Sequence, residues 1–192
     1  MKKIFIIHGF GGVPNGGWFP WLMGKLAKEN VFACSLSMPN PANPVASEWI
    51  NTMHSSLEAN EEIILVGHSL GGTAVLRYLE SLNSGLKIGG AVLVAPVSEN
   101  LEVADPTSDF RKIDNFFNSG FDLEKIKNNA NRITIIHGKK DQFVPFEHSE
   151  KISKGLDCEL ITVENGDHFS QKSEPICYEL PQALDAILKM VK

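Results

Sequence analysis

Three residues of this chain carry the side chains that acyl transfer through a serine requires: Ser69, Asp141 and His168. A serine hydroxyl attacks a carbonyl carbon only when a base takes its proton, and that base is usually a histidine oriented by a carboxylate. Where the serine lies in a Gly-x-Ser-x-Gly turn, the acid follows it along the chain and the histidine comes last. The order of these three residues therefore predicts a catalytic triad.

The serine lies in a glycine-rich turn, Gly-His-Ser-Leu-Gly at residues 67–71, between an apolar run and a helical pattern. Such a turn strains the serine backbone, so its neighbours Gly67 and Gly71 must be small. It also places Ser69 at a helix N-terminus, which favours negative charge. The pentapeptide alone is a weak signal that also fits a tight turn with an N-capping serine, so the functional interpretation depends on Asp141 and His168.

The two partner residues follow predicted strands. Asp141 comes shortly after the apolar run 133–136, and His168 follows the run 159–163 and precedes the last helical pattern. Ligands of parallel sheets bind at the carboxyl ends of the strands, so we expect the two side chains to meet Ser69 there. Asp167 is interpreted as a loop residue, and Asp157 precedes its strand, at the wrong end.

The other histidines are assigned no triad role. His137, which ends a strand before a glycine, is expected to line the site or to hydrogen-bond its floor. His54 lies on a predicted helix and His148 begins another, so both are expected to face solvent.

The developing oxyanion of an acyl transfer needs hydrogen-bond donors. We expect the backbone N–H of Leu70, directly after the serine, and that of Phe10, in the loop after the first strand. The candidates for substrate contact are His8, Phe10, Trp18 and His68, although a place in the core is equally open for the aromatic residues.

Other site types do not fit the motifs. The first loop reads Gly9-x-Gly11-x-x-Pro14, which lacks the third glycine of a dinucleotide fingerprint, and no acidic residue ends the second predicted strand. No P-loop sequence and no His-Glu-x-x-His spacing occurs. We therefore expect neither a cofactor nor a metal.

Composition narrows the function classes. The 192 residues favour one domain, 1–192, and the net charge of −5 argues against nucleic acid as a partner. Three cysteines without a C-x-x-C spacing indicate reduced thiols, and no apolar run approaches the roughly 20 residues of a membrane span. We expect a cytoplasmic protein that acts on a small molecule and contacts neither nucleic acid nor membrane.

Apolar runs alternate with amphipathic segments along the chain. This order predicts a three-layer α/β fold, with a mostly parallel sheet of about six strands flanked by helices and buried on both faces. Residues 97–130 interrupt the alternation, with helical candidates at 109–118 and 122–128, and we interpret them as a small lid or an ordinary long excursion. The strand runs are residues 3–7, 31–36, 63–66, 91–95, 133–136 and 159–163.

Six segments also carry a family resemblance: His8-Gly9, Trp18-Phe19-Pro20-Trp21-Leu22, Met38-Pro39-Asn40-Pro41, the turn 67–71, Asp141 with Val144-Pro145-Phe146, and Gly166-Asp167-His168-Phe169. The chain resembles the α/β-hydrolase superfamily and, within it, the small YdeN-like serine hydrolases, the group that includes the retinoblastoma-binding serine hydrolase.

The resemblance implies a compact hydrolase without a large cap, in which Ser69 is the nucleophile, Asp141 orients and His168 is the base. The resemblance supplies this chemistry without a substrate; our own expectation is carboxylesterase-like cleavage of a small ester, or of an amide or thioester, through an acyl-enzyme. The alternative is a hydrolase-fold interaction module with a vestigial triad. A retinoblastoma-type partner is not carried over, because Leu156-Asp157-Cys158-Glu159 places the glutamate one position early for L-x-C-x-E.

Overall fold

Six strands form one sheet in the part of the chain that the computed structural model describes, residues 1–102 and 107–192. They are β1 (Lys3–Ile7), β2 (Phe32–Leu36), β3 (Ile63–His68), β4 (Gly90–Val94), β5 (Ile133–Gly138) and β6 (Glu159–Val163). The spatial order is β2-β1-β3-β4-β5-β6, and every neighbouring pair is parallel. All carboxyl ends therefore lie along one edge, as expected from the sequence.

Helices cover both faces of this sheet, which confirms the three-layer α/β fold. Residues of α2, α3 and α5 pack with one face in one apolar cluster, and residues of α1 and α6 pack with the other face. The helices are α1 (Phe19–Lys28), α2 (Ala46–Ser56), α3 (Leu70–Ser81), α4 (Leu123–Asn128), α5 (Phe146–Leu156) and α6 (Pro181–Val191), with a 3₁₀ helix at Asp109–Phe116.

The burial of the strands differs between the centre and the edges of the sheet. Every residue of β3, β4 and β5 is buried, as predicted for strands covered on both faces. The prediction is wrong for β2 and β6, which contain no fully buried residue. These two strands are the edges of the sheet and have a neighbour on one side only, so solvent reaches their side chains despite their apolar sequences.

The excursion at residues 97–130 is attached to the helix that follows Ser69. Arg77 of α3 is buried, and its guanidinium donates to the carbonyls of Phe116 at 2.9 Å, Ser119 at 2.5 Å and Gly120 at 3.2 Å. The two predicted helical candidates are the 3₁₀ helix and α4. Residues 103–106 of the predicted lid lie outside the described residues.

The start of α3 packs directly on the end of β1. A Cβ on Gly71 would lie 2.2 Å from the Ile7 carbonyl oxygen and 2.5 Å from that of His8. A Cβ on Gly67 would lie 2.5 Å from the Gly71 oxygen. No side chain fits at these distances, so both glycines are needed for the turn that carries Ser69.

A substitution at Gly71 tests whether this close packing contributes to stability. We predict that Gly71→Ala lowers the free energy of unfolding by about 3 kcal/mol, because the methyl group meets backbone atoms that cannot yield. Gly24→Ala is the matched control, since Gly24 also lies within a helix and a Cβ there meets nothing within 4 Å. That variant should gain ~0.5–1 kcal/mol from helix propensity. Urea denaturation measures the free energy of unfolding of both variants. Equal values for Gly71→Ala and Gly24→Ala would show that the start of α3 does not require a glycine at position 71.

Candidate active site

Ser69 stands alone in the sharp turn between β3 and α3. Its φ is 54° and its ψ is −124°, a conformation that non-glycine residues rarely adopt and that costs roughly 1–3 kcal/mol. Its N–H donates to the Val94 carbonyl at 2.8 Å, and its carbonyl accepts from the Gly72 N–H at 2.8 Å. Helix and sheet thus both hold the strained serine at the carboxyl edge.

Asp141 lies just past β5 and is almost fully enclosed, with 1% of its side chain exposed. Its Oδ2 is 2.7 Å from His168 Nδ1, and its Oδ1 accepts the backbone N–H groups of Phe143 at 2.8 Å and Val144 at 2.9 Å. Burial alone would raise the pKa of Asp141, but hydrogen bonds from His137 and His168 outweigh it and hold that pKa well below its usual value. The carboxylate is therefore ionised and directed at His168.

His168 and Ser69 line the same pocket. No hydrogen bond joins their side chains within residues 1–102 and 107–192, so the structure brings together Asp141 and His168 more closely than His168 and Ser69. In ligand-free enzymes this contact is often long or poorly aligned, and it tightens when the substrate binds.

Two predicted substrate contacts also hold the backbone around His168. His68 Nε2 donates to the His168 carbonyl at 2.8 Å, and the Trp18 indole N–H donates to the Phe169 carbonyl at 3.0 Å. Phe169 has a positive φ of 52°, so this segment is a strained turn. Burial, together with repulsion from His168, lowers the pKa of His68 to about 3. His68 is thus neutral and serves as a fixed donor.

His8 is another neutral donor, at the end of β1. Its Nε2 accepts the Met38 N–H at 3.2 Å, so its Nδ1 carries the proton and donates to the Gly9 carbonyl at 2.9 Å. Burial lowers the pKa of His8. Both ring nitrogens are used within the protein, so His8 ties the loop after β1 to the loop after β2.

The two backbone donors expected for the oxyanion are both unused. Neither the Phe10 N–H nor the Leu70 N–H donates to a protein acceptor among the described residues. Gly9 brings the two loops together, since a Cβ there would lie 3.0 Å from Ser69 Cβ and 3.1 Å from the His68 oxygen. The loop after β1 therefore lies against the serine, as the prediction for Phe10 requires.

The pocket around Ser69 is lined mainly by apolar side chains and includes His8, Phe10, Trp18 and His68, the four residues predicted to contact substrate. Ring contacts run across it from Phe10 to Phe110 at 6.4 Å, on to Phe143 at 6.3 Å, and from there to His168 at 5.3 Å. Phe110 belongs to the 3₁₀ helix, so the excursion contributes to the pocket. Sequence reasoning missed Phe110 and Phe143, because neither belongs to a motif.

Two further histidines lie close to this site. His137 is completely buried and contacts Asp141, as expected for a residue at the floor of the site. The prediction that His148 faces solvent is wrong: only 8% of it is exposed, and its Nδ1 accepts the Ser98 N–H at 3.0 Å. Its position at a helix start did not indicate which side of α5 packs against the loop after β4.

The described residues were also compared with the requirements of a metal site and of a membrane-spanning helix. Among residues 1–102 and 107–192, no three His, Cys, Asp or Glu side chains group in a way that could hold a metal ion. Over the same residues, no helix is both long enough and apolar enough to span a bilayer.

Comparison with known proteins shows the family of this chain. The family model described as "Serine hydrolase" matches residues 4–184. The chain belongs to the serine hydrolase family. YdeN of Bacillus subtilis is 36% identical to this serine hydrolase over 184 residues, which cover 93% of this chain and 94% of YdeN. The YdeN crystal structure matches with a TM-score of 0.89 at 34% identity, covering 100% of this chain and 99% of that one.

More distant relatives share the same fold. The serine hydrolase RBBP9 of Rattus norvegicus is 28% identical over 170 residues, 87% of each chain. Est1E of Butyrivibrio proteoclasticus matches with a TM-score of 0.72 at 18% identity, covering 99% of this chain and 88% of that one, and this likeness shows the fold alone. The resemblance to YdeN-like serine hydrolases is thus confirmed.

The neutral state of His68 predicts how stability depends on pH. Its pKa is about 3 in the folded protein against 6.5 ordinarily, so below pH 6.5 the unfolded chain binds this proton first and the folded state loses stability. His68→Gln keeps a donor for the His168 carbonyl and removes the proton. Between pH 5.5 and 4, its free energy of unfolding should therefore fall less steeply than the parent's, by about 1.4 kcal/mol per pH unit.

Urea denaturation at a series of pH values measures this difference. Parallel pH dependences of parent and His68→Gln would show that His68 is not held neutral.

Proposed function

We propose that this serine hydrolase cleaves a small carboxylic ester through an acyl-enzyme, with Ser69 as nucleophile, His168 as base and Asp141 as the orienting carboxylate. The observation that carries the proposal is the 2.7 Å contact between Asp141 Oδ2 and His168 Nδ1, in the wall of the pocket that contains the strained Ser69. Membership of the family supports the hydrolase class, and the geometry supports these roles.

In the first half of the reaction, His168 Nε2 takes the Ser69 proton while Ser69 Oγ attacks the ester carbonyl. The carbonyl oxygen becomes an oxyanion, which accepts from the free Leu70 and Phe10 amides; losing one such donor typically costs about 10²–10³ in rate. The ionised Asp141 stabilises the imidazolium that forms. His168 then gives the proton to the leaving alcohol, so the C–O bond breaks and Ser69 keeps the acyl group.

In the second half, His168 removes a proton from water, which attacks the acyl carbon. The second tetrahedral species collapses when the proton returns to Ser69 Oγ, and the carboxylic acid leaves. His168 can alternate between these roles only if its backbone stays in place. The hydrogen bonds from His68 and Trp18 to the carbonyls of His168 and Phe169 provide that support.

The lining of the pocket favours an apolar acyl group. Phe110 and Ile113 of the 3₁₀ helix face Phe10 and Phe143 across the space next to Ser69. Burying apolar surface there gives about 25 cal/mol per Å², whereas a charged acyl group would lose hydration without a buried partner. We therefore propose carboxylesterase-like specificity, with the 3₁₀ helix acting as a small lid over this part of the pocket.

A fluorophosphonate probe tests whether Ser69 is activated. The parent protein should be labelled stoichiometrically, and Ser69→Ala should not be labelled at all, because only an activated serine reacts with such probes. Ser98→Ala is the matched control: Ser98 is equally buried, at 8% exposure, and its Oγ lies 3.0 Å from His148 Nδ1. That variant should be labelled like the parent.

Mass spectrometry of the intact and digested protein gives the extent and position of labelling. An unlabelled parent would instead support the alternative, an interaction module with a vestigial triad. Equal labelling of Ser69→Ala and the parent would exclude Ser69 as the nucleophile.

A further inference from the structure

His137 extends the Asp141–His168 contact into the core. It ends β5 and is completely buried, and its Nε2 lies 3.0 Å from Asp141 Oδ2 and 3.1 Å from the Val144 carbonyl oxygen. On the other side of the ring, Nδ1 lies 2.6 Å from Ser149 Oγ on α5. Asp141 Oδ2 is therefore shared by two histidines, His137 from below and His168 from the pocket.

The partners of His137 determine where its proton lies. A carboxylate oxygen and a carbonyl oxygen both accept hydrogen bonds, so Nε2 must carry a hydrogen. In the neutral ring, Nδ1 then accepts, and Ser149 Oγ–H is the donor. Ser149 itself has no exposed surface, so its hydroxyl is committed to this contact.

We propose that His137 and Ser149 are positioning residues for the catalytic acid and base: Ser149 fixes the His137 ring with hydrogen on Nε2, and His137 fixes Asp141 Oδ2 for His168. This inference rests on the proposed function, because it assigns a role relative to that triad. Neither residue lines the pocket that holds Ser69, so both act through the groups that His137 contacts, Asp141 and the Val144 carbonyl.

The hydrogen bonds from Ser149 to His137 and from His137 to Asp141 have two effects. With four donors on its two oxygens, the Asp141 side chain cannot rotate, so the His168 ring is held in one plane. The hydrogen bond from His137 to Oδ2 also weakens the attraction between the Asp141 carboxylate and a positive charge on His168. Without His137, Asp141 would attract a proton on His168 more strongly, and activity would be lost at a higher pH on the acid side.

Other ionisable groups lie near Ser149, His137 and Asp141, and they also contribute to any measured pH dependence. The His68 ring lies 5.0 Å from the His168 ring, and the Phe146 ring packs on His137 at 5.4 Å with Lys139 Nζ 5.1 Å from its centre. His148 lies on the same helix as Ser149, and its Nδ1 accepts the Ser98 N–H. These groups are the same in the Ser149 and His137 variants, so a difference in pH profile between variants reports on the hydrogen bonds of Ser149, His137 and Asp141.

The test compares four variants of the 192-residue protein, two at His137 and two on α5. His137→Phe keeps a ring but no donor, and we expect kcat for a p-nitrophenyl ester to fall by about 10–100-fold, the range typical when a residue that orients a metal ligand is replaced. KM should change by less than about twofold, since no substrate contact is lost. The acid-side midpoint of the kcat/KM profile should move to higher pH. His137→Gln restores an N–H donor near Nε2 and should recover most of kcat and the parent profile.

Ser149→Ala tests the same hydrogen bonds from the other end and is needed because His137→Phe could fail to fold. Its matched control is Ser153→Ala, one turn further along α5, where the buried hydroxyl donates only to the Glu150 carbonyl. Ser149→Ala should lower kcat and move the profile in the same direction as His137→Phe, while Ser153→Ala should match the parent in both. Circular dichroism and thermal unfolding establish that each variant is folded.

Two results would overturn the inference without affecting the proposed function. One is a folded His137→Phe with the parent's kcat and pH profile; the other is a Ser149→Ala that matches Ser153→Ala. The proposed function fails separately, if the parent neither hydrolyses esters nor labels at Ser69. In that case the low-field NMR signal of His168 Nδ1–H still reports on Asp141, and an identical signal in parent and His137→Phe would overturn the inference.

Discussion

The buried carboxylate of Asp141 is the group on which the arrangement of the site depends. An ionised carboxylate inside a protein is very costly unless it is paired and fully hydrogen-bonded. Here its two oxygens receive donors from His137, His168 and the backbone of residues 143 and 144. Those donors come from the end of β5, from the loop between β5 and α5, and from the loop after β6. Satisfying one charge therefore fixes the relative position of two loops, including the one that carries the proposed base.

The turn at Ser69 is constrained in a complementary way, by the absence of side chains. Gly67 and Gly71 let α3 start directly against the end of β1, and this packing holds Ser69 in a backbone conformation that it would otherwise avoid. Gly9 brings the loop after β1 up to the serine. Buried, neutral His8 and His68 then anchor the loops on either side without adding charge to the pocket. A charged carboxylate thus lies behind a mostly apolar site.

The sequence predicts the strands well and also identifies the three triad candidates, because both leave local signals. Apolar runs identify strands, and in a parallel sheet the residues that follow them must share one edge. The contacts of His137 and His148 leave no such signal, since they depend on how α5 rests against the loops after β4 and β5. Edge and central strands also look alike as short apolar runs, and only the strand order shows that β2, which pairs with β1 alone, has one open side.

The most direct test of this account is a crystal structure of the protein after reaction with a small alkyl phosphonate ester probe, which imitates the tetrahedral intermediate. The account predicts a phosphorus–oxygen bond to Ser69 Oγ, with the phosphonyl oxygen about 3 Å from both the Leu70 and Phe10 nitrogens. The alkyl group should lie among Phe10, Phe110 and Phe143. A phosphonate bound to another residue, or an oxygen that points away from both amides, would contradict it.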